Sequence, residues 1–197
     1  MTLLDRFRTP SRHSHPDPVV RLAYVAEIPL EARDAIAAMA RDDEDPRVRK
    51  AAVAKLMDPA ALGSVARSDA DEGVRSAALG MLRDIALDVF EGVSEADSLD
   101  AVDALGETKA TLHVARAATK DLVALRALAG LTDIHALGSV ARHAASDAAR
   151  SGAFERLQER GDRAEILAGL SDGEAVVSAP PLDLRDGTPL AGASARA

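Results

Sequence analysis

Eight carboxylates crowd one stretch of the chain: Asp84, Asp88, Glu91, Glu95, Asp97, Asp100, Asp103 and Glu107, with no Lys or Arg between Arg83 and Lys109. The 197 residues carry a formal net charge of −8, so these eight account for the whole excess and the remainder is balanced. Read as helix, Asp88/Glu91/Glu95 and Asp100/Asp103/Glu107 each run i, i+3, i+7, which puts three carboxylates on one face. Like charges at that spacing cost roughly a few tenths of a kcal/mol per pair. Two readings are open. The stretch is a solvated acidic face, or it is a docking patch whose field steers a basic protein partner. On the second reading the partner-binding residues are Asp88, Glu91, Glu95, Asp100, Asp103 and Glu107.

Other chemistry is thinly supplied. There is no Cys, which excludes thiol nucleophiles, disulfides and thiolate metal sites. Ser64 and Ser139 sit in Leu-Gly-Ser-Val elements, but the Gly-x-Ser-x-Gly frame of a nucleophile elbow is missing, and small residues at a helix contact are expected instead. His13, His15, His113, His135 and His143 are scattered, with no i, i+4 pair around a carboxylate, so neither metal nor cofactor is expected. Arg21, Arg49, Arg75 and Arg150 recur at one equivalent position. An aligned row could bind phosphates or an acidic partner. It could equally be a ladder in which each Arg pairs with Asp in neighbouring turns.

The elements that carry these residues read as short helices. Asp45, Asp58, Asp71, Asp84 and Asp97 fall 13 apart, and Asp17-Pro18, Asp45-Pro46 and Asp58-Pro59 join a preferred N-cap to Pro at the first helical position. Asp121, Asp133, Asp147 and Asp162 keep a looser cadence. Each step accommodates a helix of about nine residues and a short turn, and two steps make a hairpin. One helix type shows i, i+4, i+8 triplets: Val20/Tyr24/Ile28, Val48/Ala52/Leu56, Val74/Ala78/Leu82, Val123/Ala127/Leu131 and Ala149/Ala153/Leu157. The other shows Ile36/Met39/Ala40, Leu62/Val65/Ala66, Leu137/Val140/Ala141 and Ile166/Leu167/Leu170. Ala61-Leu-Gly-Ser-Val-Ala-Arg67 returns 75 positions on as Ala136-Leu-Gly-Ser-Val-Ala-Arg142, read as three units of about 25. Helices this short are marginal alone and fold by stacking on neighbours. With 47% hydrophobic residues, mostly small aliphatics, and only 2% aromatic, a β-sandwich or barrel is disfavoured. The expected fold is all-α: an α-solenoid of about six short two-helix repeats.

Asp45-Pro-Arg-Val-Arg-Lys-Ala-Ala-Val-Ala-Lys-Leu56, Asp58, Leu62 through Ala66, and Val74-Arg75-Ser-Ala-Ala-Leu79 together resemble the HEAT repeat, in which an Asp ends the inter-helix turn and Val-Arg opens the second helix. The pattern is similar to short HEAT-like arrays of some bacterial proteins that precede a helical domain of unknown function. It covers roughly residues 16 to 170, and Asp97 departs from it by standing where other repeats place Val or Ala. The resemblance implies a non-catalytic scaffold for protein–protein interaction. Some DNA glycosylases and bilin lyases also use HEAT-like arrays, so a nucleic-acid-binding or chromophore-lyase-type protein is the alternative. HEAT-like iron hydroxylases carry His-Glu dipeptides, which are absent here. An acidic chain with no Trp and a single Tyr disfavours nucleic acid, so no nucleic-acid partner is expected. Residues 1–15 read as a partly flexible segment, 16–171 as the repeat array and 172–197, rich in Ala, Gly and Pro, as a disordered tail. No signal-peptide or membrane-spanning run is visible, and a cytoplasmic protein is expected.

Overall fold

A computed structural model describes residues 12–106 and 109–159. Among them are ten α-helices and no strand, so the chain is all-α as expected. After a 3-10 turn at Arg12–Ser14 come α1 (Pro18–Glu27), α2 (Arg33–Asp42), α3 (Pro46–Val53), α4 (Pro59–Ser68) and α5 (Glu72–Ala86). They are followed by α6 (Glu95–Leu105), α7 (Lys109–Ala117), α8 (Asp121–Ala129), α9 (Ile134–His143) and α10 (Asp147–Glu159).

Most helix starts follow from local chemistry. Asp17, Asp45, Asp58, Asp71 and Asp133 each accept a hydrogen bond from a first-turn amide, satisfying donors that the helix itself leaves free. Two members of the 13-residue cadence do not. Asp84 lies inside α5, where Arg83 pairs with it, because Leu82 and Ile85 continue the buried stripe and nothing breaks the helix there. Asp97 is the third residue of α6. Ser94 is the cap, and its hydroxyl and amide exchange hydrogen bonds with Asp97 in a capping box. Likewise Lys120 precedes α8, whose first residue is Asp121, and Ser146 accepts from the Ala149 amide at the start of α10.

The triplets form the core. Val48, Ala52 and Leu56, Val74, Ala78 and Leu82, Val123, Ala127 and Leu131, and Ala149, Ala153 and Leu157 are all buried. Val20 and Tyr24 are only partly covered, and Arg12 and His13 of the 3-10 turn lie beside the Tyr24 ring. Each buried Leu or Val contributes about 1.5–3 kcal/mol, which is what holds helices of eight to ten residues in place. The triplet Ile166/Leu167/Leu170, like the tail from 172, lies outside the described residues.

Helices adjacent in sequence pack on one another at α2 with α3, α4 with α5, α5 with α6, α7 with α8, and α9 with α10. Contacts then run in succession along α1, α3, α5, α7, α9 and along α2, α4, α6, α8, α10. With α6 set aside, the second helix of each pair is odd-numbered before it and even-numbered after it. A single helix stands between the hairpins α4–α5 and α7–α8, and it shifts the two helix types to opposite rows. The 75-residue shift carries α4 onto α9 and so spans five helices, not three equal pairs. The interruption begins where α5 runs on to 15 residues, then turns through Asp88 (φ 58°) and Gly92 (φ 82°), a left-handed backbone that Asp and Gly tolerate best.

Candidate functional site: an acid-rimmed groove

The turns between helices leave a groove of about 660 Å³. Its walls come from the α1–α2 turn and the start of α2, the α3–α4 turn, the end of α5, the α5–α6 turn and the first half of α6. Ile36, Leu56 and Ile85 close it from the core side and are at most 5% exposed. Leu30 and Met57 stand in it at 57% and 37% exposure, both in turns between a second helix and the next first helix. Apolar groups of that size left open to water, inside a concavity with polar edges, are the usual make-up of a binding groove.

Charge around the groove is lopsided. Glu31, Asp58, Glu91, Asp97 and Asp100 line it, against Arg33 and Lys55. The Lys55 ammonium is already engaged. It donates to the carbonyls of Val25, Ala26 and Ile28 at 3.0, 3.0 and 2.6 Å, closing the C-terminal end of α1 where a cation is favoured. Asp58 is held by the Ala60 and Ala61 amides, and Asp97 by Ser94. The Ser94 hydroxyl and amide, with Arg33 nearby, keep the Asp97 carboxyl below the usual carboxylate range, so it stays ionised. Glu31, Glu91 and Asp100 make no side-chain hydrogen bond or ion pair among the described residues.

The acidic stretch is divided by this geometry. Glu91 and Asp100 line the groove, together with Asp97, which the sequence cadence assigns to capping. Glu95 opens α6 and is exposed, outside the groove. Asp88 and Asp103 turn to α8 instead: Lys120 Nζ donates to Asp88 at 2.6 Å, and Arg126 forks onto Asp103 at 2.7 and 2.6 Å. Cations more than twenty residues away thus neutralise part of a stretch that looks uncompensated in sequence. Asp88, Glu91 and Glu95 do not share a helical face, because α5 ends at Ala86 and α6 begins at Glu95. Asp100 and Asp103 do lie on α6, while Glu107 falls outside the described residues.

Two of the four Arg in the row, Arg21 and Arg49, form a ladder of ion pairs. Arg21 forks onto Asp43 at 2.8 and 2.9 Å, and its third nitrogen reaches the His15 and Pro16 carbonyls. Arg49 repeats the arrangement one unit on, forking onto Asp69 at 2.7 and 2.8 Å and donating to the Asp43 carbonyl. Asp43 and Asp69 end α2 and α4 and also accept the Asp45 and Asp71 amides, so each rung ties three segments. Arg75 keeps the carbonyl contacts to Asp69 and Ala70 but forms no ion pair among the described residues, since Gly106 ends α6. Arg150 holds the Ala144 carbonyl and pairs with Asp147. Guanidinium groups bound in this way are not displayed for phosphate.

Compared with known proteins, the chain matches no family model, no curated protein and no solved structure. Among the described residues no group of His, Asp or Glu is placed to hold a metal ion, and no helix is long and apolar enough to cross a membrane. Ser64 is exposed on α4, and the close contact there belongs to Gly63, where an added Cβ would sit 3.0 Å from Ala104 Cβ.

Sequence reasoning missed Leu30, Glu31, Arg33, Met57 and Asp58 as site residues. The one available signal was apolar side chains in turns, outside the core triplets: Leu30 and Met57 occupy successive turns of the same kind. A second repeated position also escaped notice. Arg156 donates to the Leu128 and Leu131 carbonyls at 2.6 and 2.7 Å, doing for α8 what Lys55 does for α1.

Proposed function

We propose that the chain is a HEAT-like α-solenoid of about six short repeats, acting as a non-catalytic scaffold that holds a protein partner. The observation that carries this reading is the groove: exposed Leu30 and Met57 beside Glu31, Glu91 and Asp100, which form no ion pair among the described residues. Supporting it, the polar groups that could otherwise do chemistry are consumed in the frame, as rungs, caps and carbonyl clamps. The succession of helix contacts supports a solenoid. A negative rim disfavours nucleic acid as the partner.

The test is affinity capture from the native host with the parent chain and with Glu91→Lys/Asp100→Lys. Those two side chains are exposed and form no hydrogen bond or ion pair among the described residues, so reversing them should leave the fold intact, unlike reversal of Asp88 or Asp103. A specific partner should be captured by the parent and lost by the variant. Equal capture by both would remove the groove from the function.

A further inference from the structure

Resting on the scaffold reading, the groove also specifies what part of a partner it takes. We propose that it binds a short, net-positive peptide segment whose bulky apolar side chain inserts between Leu30 and Met57 while flanking Arg or Lys residues meet Glu31, Glu91 and Asp100.

Charge complementarity sets the sign of the occupant. Five carboxylates and two cations line the groove, and one of those cations, Lys55, is tied to three carbonyls. An acidic or phosphorylated segment would meet Glu31, Glu91 and Asp100, and among the described lining residues the one cation besides Lys55 is Arg33, which faces Asp97. A purely basic, hydrophilic segment would leave Leu30 and Met57 in water. Both halves of the lining are met only by a segment that alternates cationic and bulky apolar groups. The size suits one or two side chains and not a folded surface, since grooves of roughly 300–1,000 Å³ accept small ligands or peptide anchors.

Exposed rim charges contribute little each and are screened by salt, so the apolar anchor must carry most of the affinity. A micromolar dissociation constant, on the order of 1–100 µM, is the scale for so small a contact.

The experiment uses the full chain and fluorescence anisotropy with three labelled nine-residue peptides. One alternates Arg with Leu around a central Phe, one replaces Arg by Glu, and one replaces Leu and Phe by Ser. The Arg/Leu/Phe peptide should bind, and the other two should bind at least about tenfold more weakly. Glu91→Lys/Asp100→Lys and, separately, Leu30→Ser/Met57→Ser should each weaken it about tenfold or more, with circular dichroism unchanged. Equal binding of the Arg/Ser peptide would overturn the apolar anchor, and equal binding of the Glu/Leu/Phe peptide would overturn the charge assignment. Residues 1–11 contain Leu3, Leu4, Arg6, Phe7 and Arg8. Should the peptide bind only after their deletion, the occupant is the chain's own segment and the proposal of an external peptide fails. If host capture depends on Glu91 and Asp100 while no peptide binds, the scaffold reading stands and the peptide class falls.

Discussion

Replacing Arg49 with Met tests whether the Arg row is a structural ladder. The Arg49 and Asp69 side chains are 12% and 4% exposed, and the fork between them is bidentate. Met fills much of the same volume, so the change removes charge and hydrogen bonds more than packing. What remains is a buried Asp69 carboxylate with a single described donor, the Asp71 amide at 2.8 Å. Breaking a buried pair from one side costs about 3–5 kcal/mol, and the surviving amide bond places this case near the lower end, about 3 kcal/mol. Arg75→Met is the internal control. Its side chain makes the carbonyl contacts but no ion pair among the described residues, so about 1 kcal/mol should be lost. Urea unfolding followed by circular dichroism reads both, compared at the transition midpoint because repeat arrays can depart from two-state behaviour. In thermal melts the Arg49 variant should drop by about 6–12 °C and the Arg75 variant by about 2–4 °C. Equal losses at the two positions would refute the ladder, and so would an Arg49 loss below about 1 kcal/mol.

Glycines separate packing from propensity. Gly63→Ala pushes a methyl to 3.0 Å from Ala104 Cβ and should destabilise by about 1–3 kcal/mol, whereas Gly80→Ala, with open space inside α5, should stabilise by about 0.5–1 kcal/mol; calorimetry distinguishes the signs. Removing the carbonyl clamp by Arg156→Met should raise hydrogen exchange at the end of α8 while leaving α1 unaffected, and Lys55→Met should do the reverse. Acid should unfold the chain through its paired carboxylates. Arg47's guanidinium and amide hold Asp45 down to about 2, and Asp69, Asp97 and Asp103 are lowered by Arg49, Ser94 and Arg126 respectively. Groups with depressed folded values contribute stability that is complete above the ordinary carboxylate range and is lost as pH falls through the folded value. The melting temperature should therefore be level from pH 7 to about 5 and fall between about 4 and 2; a decline already complete at pH 5 would contradict the assignment.

Much of the frame was legible because repetition exposes local rules. Asp17, Asp45, Asp58, Asp71 and Asp133 cap helices as their neighbours in sequence suggest, and the triplets from Val48 to Leu157 bury as their spacing requires. The cadence misled where arithmetic continued but physics did not. Asp84 keeps the 13-residue interval, yet Ile85 and Ala86 are buried and extend α5 past it. The Ser94-x-x-Asp97 capping box was the signal that α6 starts later than the interval implies. The acidic stretch was visible as charge but not as geometry, because its neutralising partners are Lys120, just before α8, and Arg126 within it. The groove was less legible still: it is assembled from the α1–α2, α3–α4 and α5–α6 turns, with Arg33 facing Asp97 across more than sixty residues of chain. Periodicity predicts that such turns stack, and gives no indication of how deep the space between them is.

The most direct measurement of the central claim is hydrogen–deuterium exchange of the full chain with and without its captured host partner. The account predicts new protection at residues 30–36, 56–59 and 91–100, the segments that meet at the groove. Protection confined to the α8–α10 region, with those segments unchanged, would contradict it.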